Sequence, residues 1–203
     1  MIVNNNLNLS IISYLFYGIL KSKTVCDGCK SKIYNFQFFQ FLSFPTFNFK
    51  EKEFNIYQGF KEFIIPEQMK GDNQCYCQKC NALKDAKISS KIYYTPPYLI
   101  INIDYGKDKK YNPKRVEFGE YIDITNFVDK KCTEKTYALI GVSSHIGRSG
   151  NSGHYVAYCK DQKNQWHTFN DSSHYLCKFD DVKEDSPYLL VFKRIKSDKF
   201  INN

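Results

Sequence analysis

Residues 150–171, GNSGHYVAYCKDQKNQWHTFND, hold the most specific pattern in the chain. A Gly/Ser loop ends at Gly153, and His154 opens a β-type run to Lys160. Asp161 to Asn164 supply a turn, and Gln165–Phe169 reads as a second strand ending at Asn170-Asp171. Folding that hairpin back sets the start of the first strand beside the end of the second. His154 therefore faces Asn170 or Asp171, and a slip of one residue exchanges them. Either side chain can accept a hydrogen bond from one ring nitrogen and hold the other toward a reacting atom. That is the base-and-orienter half of a nucleophilic triad. An Asn orienter suits a Cys–His ion pair, in which thiolate already balances the imidazolium. An isolated strand histidine is ordinarily just hydrogen-bonded in place. His145, His167 and His174 are read that way, with His145 set apart by its position beside the glycine loop.

Outward from this hairpin the β pattern repeats. Ile88–Tyr94, Tyr98–Ile103, Tyr121–Ile124, Tyr137–Ser143 and Tyr188–Ile195 are β-type runs. They are separated by turn residues such as Pro96-Pro97, Asn112-Pro113 and Ser186-Pro187. Past Cys80 no helical period is expected. Upstream, Ser31 to Phe49 is crowded with aromatic residues, which favour strands. Phe54 to Ile65 places Ile56, Phe60, Phe63 and Ile64 at helical spacing, so one short amphipathic helix is expected there, ended by Pro66 and Gly71. Residues 1–9 read as a frayed end. The expected fold is α+β, predominantly antiparallel β, in one unit.

Composition narrows the function classes. The chain has 203 residues, 42% hydrophobic and 17% aromatic, enough to fill a core and to exclude general disorder. The net charge of +8 would suit nucleic acid, but Arg115, Arg148 and Arg194 are the only arginines. Lysine binds phosphate as a point charge and does not read bases bidentately, so no nucleic-acid partner is expected. The apolar stretch Ile11–Leu20 lacks a basic leader or cleavage site and is too short to span a bilayer, so no membrane partner is expected either. Eight cysteines without a secretory signal point to a reducing compartment, cytosol or nucleus.

The thiols are patterned. Cys26-Asp-Gly-Cys29 and Cys77-Gln-Lys-Cys80 are two Cys-x-x-Cys knuckles. Two intervening residues let both thiolates reach one tetrahedral ion, and two such pairs make a closed structural Zn²⁺ site. Gly28 fits the tight loop. The two pairs lie too far apart for a compact zinc ribbon, whose second pair follows roughly 15–20 residues after the first. The ion would instead staple a β-hairpin extension. Cys75 is a fifth thiol that could substitute for Cys77, but only Cys77 has the two-residue spacing.

Gly153-His154-Tyr155-Val156-Ala157-Tyr158, with Trp166 and Phe169-Asn170-Asp171, resembles the histidine box of the ubiquitin-specific proteases. Leu15-Phe16 and Leu20-Lys21-Ser22 ahead of the first knuckle resemble the start of that family's fingers. Gly71-Asp72-Asn73 before the second knuckle, Pro97 with Leu99-Ile100-Ile101, Tyr137-Ala138-Leu139 with His145-x-Gly147, and Tyr188–Phe192 follow in the family's order. The resemblance implies a papain-like thiol hydrolase that cleaves the bond after ubiquitin's C-terminal glycine, with ubiquitin as partner. It makes His154 the general base and Asn170 its orienter, with Asp171 assisting the oxyanion or the histidine. Gly153 and Tyr155 would line the passage for the ubiquitin tail, and Cys26, Cys29, Cys77 and Cys80 would bind zinc.

Two features depart from that pattern. The family's nucleophile sits in an Asn-x-Gly-Asn-Thr-Cys-type box far upstream of the first zinc pair, and no such box occurs in these residues. Cys159 lies on the strand of His154 five residues on, facing the other side, and Cys132 and Cys177 read as loop thiols with no helix N-terminus to acidify them. Asn102–Gly106 also replaces the family's usual basic pair and Phe. The expectation is thus a partial catalytic domain over 1–203, with zinc-binding fingers at about 15–95 and a palm at about 96–196, the thumb subdomain missing. Three readings follow: part of a longer active protease, a shortened relative that binds ubiquitin without cleaving it, or a half complemented by a separate thumb. A zinc-dependent nucleic-acid binder fits least.

Overall fold

Asn55 caps a helix in this computed structural model, which describes residues 10–106, 115–149 and 152–196. The frayed end expected at 1–9 and the turn at Asn112-Pro113 lie outside them. In chain order, α1 (Ile11–Phe16) leads into β1 (Gly18–Cys26), β2 (Lys32–Phe39), β3 (Phe41–Pro45) and β4 (Glu53–Asn55). Then come α2 (Ile56–Ile64), β5 (Glu67–Met69), β6 (Cys75–Cys77), β7 (Ala82–Lys84), β8 (Ala86–Tyr94) and β9 (Tyr98–Asp104). The rest is β10 (Arg115–Glu117), β11 (Tyr121–Asp123), β12 (Thr136–Ser149), β13 (Ser152–Lys160), β14 (Trp166–Asn170), β15 (Ser173–Cys177), α3 (Phe179–Glu184) and β16 (Pro187–Arg194).

Two sheets organise these elements. A four-stranded antiparallel sheet has the order β2-β1-β8-β5, and an eight-stranded sheet runs β15-β14-β13-β12-β16-β9-β3, with β11 beside β12. The fold is predominantly antiparallel as expected, with parallel strand pairing where β3 meets β9 and β4 meets β10 and a single parallel bridge between Ile92 and Val128. The chain leaves the smaller sheet at Gln40 and enters the larger one at Phe41. The aromatic run after Ser31 is therefore shared between the two.

The helix α2 falls inside the stretch whose period announced it. Asn55 Oδ1 accepts from the Tyr57 amide while Gln58 Oε1 accepts from the Asn55 amide, a reciprocal cap. Its buried face packs on the large sheet: Phe60 meets Phe44 edge-on at 5.0 Å and stacks on Phe127 at 5.1 Å. Gly59 is required for that approach, since a Cβ there would lie 2.4 Å from the Phe44 ring. Leu42, Ile101, Ile103, Val142, Leu190 and Phe192 complete the same core.

Two expectations fail past Cys80. A helix does form, α3, and Cys177 is not a loop thiol because it ends β15. Six residues of helix give too few turns for a period, and only Val182 is fully buried. The strand β15 is an exposed sheet edge, so no apolar alternation marked it. Among the described residues no helix is long and apolar enough to cross a membrane.

Phe60 anchors the helix to both neighbours, so Phe60→Ala should cost about 3–5 kcal/mol through lost contacts and a cavity. Thermal unfolding followed by circular dichroism should fall by on the order of 10 °C. A change of a degree or two would show that α2 is peripheral to the core.

Candidate active site and metal centre

The β13–β14 ladder pairs Ala157 with Phe169 and Lys160 with Trp166. Continued toward the open end, that register places His154 diagonal to Asn170 on one face. The ring atom Nε2 of His154 lies 2.5 Å from Asn170 Oδ1, and Asp171 Oδ2 stands 3.9 Å from the same nitrogen. The register left open by the sequence thus brings Asn170 into contact. Asp171 takes φ +49, a left-handed conformation that Asp tolerates, and its side chain is 81% exposed. With the amide oxygen as acceptor, Nε2 carries the proton, and Nδ1 is the basic atom. The imidazole is 43% exposed, so a reacting group can reach it.

Gly153 and Tyr155 flank this histidine. A Cβ on Gly153 would lie 2.1 Å from His145 Nε2, so the buried His145 ring rests directly against that backbone. The same ring packs on Tyr155 at 4.8 Å, and Tyr155 meets Tyr188 edge-on at 5.8 Å. The His145 amide donates to Ser186 O at 3.2 Å. His145, grouped with ordinary strand histidines by the sequence reading, supports the Gly153 backbone of β13. Its place two residues before Gly147 was the available signal. Nearby, Tyr105 OH donates to Pro187 O at 2.8 Å and Asp104 Oδ1 accepts from the Gly106 amide, which shows how the divergent 102–106 segment is held.

The thiols are all accounted for away from His154. Cys132 is buried beside the Thr95 hydroxyl and the Glu134 carbonyl. Cys159 lies across from Gly141, and partial burial raises its thiol pKa. Cys177 lies across from Trp166 on β15, and Cys75 is on β6.

The remaining four cysteines converge. Cys26, Cys29, Cys77 and Cys80 place their Sγ atoms within 4.8 Å of one another, with Cys26–Cys80 at 3.9 Å and Cys29–Cys77 at 3.5 Å. Tetrahedral Zn²⁺ with Zn–S near 2.3 Å needs sulfurs about 3.8 Å apart, so the set fits structural zinc. The spacing also selects Cys77 over Cys75. Each knuckle is closed by a left-handed residue just past its second cysteine, Lys30 (φ 59) and Asn81 (φ 50), rather than by Gly28. Hydrogen bonding with the Ser31 hydroxyl pulls the Cys77 thiol down to about 6 and lowers Cys29 as well. Hydrogen bonding with Cys29 first, then burial and the other thiols, pushes Cys80 up to about 12. Four thiolates cannot coexist here without a cation, and a dication removes that conflict.

A family model described as ubiquitin carboxyl-terminal hydrolase matches residues 3–192. Among curated relatives, ubiquitin carboxyl-terminal hydrolase 8 of Saccharomyces cerevisiae is 30% identical over 205 residues, covering 93% of this chain and 42% of that protein. Ubiquitin carboxyl-terminal hydrolase 25 of Arabidopsis thaliana is 27% identical over 194 residues, covering 91% and 28%. The solved Ubp8/Sgf11/Sus1/Sgf73 SAGA module bound to ubiquitin aldehyde matches with a TM-score of 0.81 at 28% identity, covering 95% of this chain and 44% of that one. The module bound to monoubiquitin gives 0.81 at 30% identity, covering 96% and 44%. The chain thus spans less than half the length of these relatives.

Stripping zinc with a chelator should lower thermal stability by on the order of 10 °C, and Cys77→Ser should do the same. Cys75→Ser should leave zinc content, measured by atomic absorption, unchanged. Zinc loss in Cys75→Ser would assign the fourth ligand wrongly.

Proposed function

This chain belongs to the ubiquitin carboxyl-terminal hydrolase family, and we propose that it forms the fingers and palm of a ubiquitin-specific thiol protease. The reaction is hydrolysis of the peptide or isopeptide bond after ubiquitin's C-terminal glycine. The fingers are assigned to about 15–95 and the palm to about 96–196, in a reducing compartment, cytosol or nucleus. One observation carries the reading: Asn170 holds the proton on Nε2 of His154, so Nδ1 is presented as a base.

In that role His154 Nδ1 takes the proton of a cysteine thiol, and the imidazolium remains hydrogen-bonded through Nε2 to the Asn170 amide. The thiolate adds to the carbonyl carbon of the terminal glycine. His154 then returns the proton to the leaving amine, and later takes one from the water that releases ubiquitin. Asp171, exposed beside the pair, assists the oxyanion or the histidine. Gly153 and Tyr155 border the passage of the tail. The nucleophile comes from an Asn-Thr-Cys-type box outside these residues, because each described thiol has a place elsewhere.

That placement also supports a second reading, in which the chain binds ubiquitin without cleaving it. Ubiquitin calorimetry on the 203-residue chain decides it, and absence of binding at high micromolar concentration ends it.

The isolated chain should not turn over a fluorogenic ubiquitin C-terminal substrate. Joined to a thumb bearing the nucleophile box, it should turn over, and His154→Ala should lower kcat by about 10³-fold or more while ubiquitin binding persists. Turnover by the isolated chain, abolished by mutating one of its own cysteines, would overturn the assignment.

A further inference from the structure

The smaller sheet packs one face on the core at its base and leaves the opposite face uncovered. Leu20, Phe39 and Ile92 point inward. Lys21 and Lys23 of β1 point the other way, and paired residues of neighbouring strands share a face. Across from them on β2 lie Phe36 and Tyr34, with Phe38 and Lys32 at the ends of the same row. On the β8 side Lys91 pairs with Lys21, and Lys87 lies across from Val25. The outer face thus sets aromatics and lysines side by side, with Ile19, Val25 and Ser89 among them.

Both halves are only partly covered, Phe36 by Tyr93 and Phe38 by Tyr17. Tyr34, Phe36 and Phe38 are each about half exposed, at 50%, 52% and 52%. Lys21 is neutralised by Asp129 at 2.9 Å. Lys23, Lys32, Lys87 and Lys91 have no salt bridge among the described residues. No position on this face of β1, β2 or β8 is Asp or Glu. A contiguous row of half-exposed rings beside four cations without a salt bridge is complementary to a partner that is both acidic and apolar.

We propose that this outer face of the β2-β1-β8 sheet is a docking surface for an acidic peptide segment with apolar anchors. Its apolar side chains would lie against Tyr34, Phe36 and Phe38, and its carboxylates against Lys23, Lys32, Lys87 and Lys91. Lysines interleaved with aromatics also suit single-stranded nucleic acid, which stacks bases on open rings. The rings are each partly covered by their neighbours. Lys21 Nζ lies 5.1 Å over Tyr34 and 5.6 Å over Tyr93, and Phe36 meets Tyr93 edge-on at 5.1 Å. The face also has no arginine to grip phosphate bidentately. The assignment stands on the sheet alone and is independent of the hydrolase reading.

The test uses the zinc-loaded 203-residue chain and a short fluorescent peptide of alternating Asp/Glu and Leu/Phe, read by anisotropy. The peptide should bind saturably, more weakly as salt rises, and its charge-swapped lysine counterpart should not bind. Lys23→Glu with Lys91→Glu should weaken binding by about tenfold or more, and so should Phe36→Ser, with far-ultraviolet dichroism and zinc content unchanged. Lys23→Gln with Lys91→Gln should weaken it by a smaller factor, which covers the case in which the reversal does not fold. No saturable binding, equal affinity in the neutralised variant, tighter binding of an oligouridine, or displacement of the peptide by ubiquitin would each overturn the proposal.

Discussion

Strand register governs what the histidine can do. Because Ala157 lies across from Phe169, residues of even number on β13 share a face with Thr168 and Asn170 on β14. His154, Val156 and Tyr158 thus belong to one row, with Val156 and Tyr158 buried behind an imidazole that emerges at the open end. The hydrogen bond from His154 to Asn170 is the outcome of that row rather than of any special loop. A one-residue slip would bring the Asp171 carboxylate into the row and turn Val156 and Tyr158 outward. Burial of those two side chains therefore protects the chemistry of the pair.

The zinc site works on a different scale. Between Cys29 and Cys77 the chain descends into the large sheet, forms β3 and α2, and climbs back. A single ion then joins the tip of the β1–β2 hairpin to the β6–β7 hairpin, closing a loop whose interior is already folded around Phe44 and Phe60. The metal adds constraint where apolar burial is sparse, since the smaller sheet buries few side chains near its tip. The core beneath α2 needs no such staple.

Legibility in the sequence followed the strength of the local physics. The two knuckles were readable from spacing, and geometry needed only to reject Cys75. The helix α2 was readable because nine residues with a cap and a buried face carry a clear period. The helix α3 and strand β15 were not, one too short for a period and the other exposed along its length. At the active site the His154 hairpin was legible as a pair of strands, while the choice between Asn170 and Asp171 was not, since register is set by cross-strand burial that no single strand displays. His145 is a buried strand histidine as read, and one of its contacts was not legible. Its role lies in the contact its ring makes with the Gly153 backbone, and a missing Cβ is visible in sequence only once one knows what lies beside it.

The base of the smaller sheet is fixed independently of its tip. Lys21 Nζ bonds Asp129 at 2.9 Å, the ammonium holding that carboxyl below its ordinary range while the carboxylate raises the lysine. The Asp129 amide donates to Ile92 O at 2.7 Å, and Ile92 forms a parallel bridge to Val128. An ion pair, a backbone hydrogen bond and a buried aliphatic side chain thus join β1 and β8 to the segment that follows Phe127, which itself stacks on Phe60 of α2. This junction lies close to the core, while the zinc site at the far end joins the two hairpin tips. Metal loss would act first on the tips, where apolar burial is sparse.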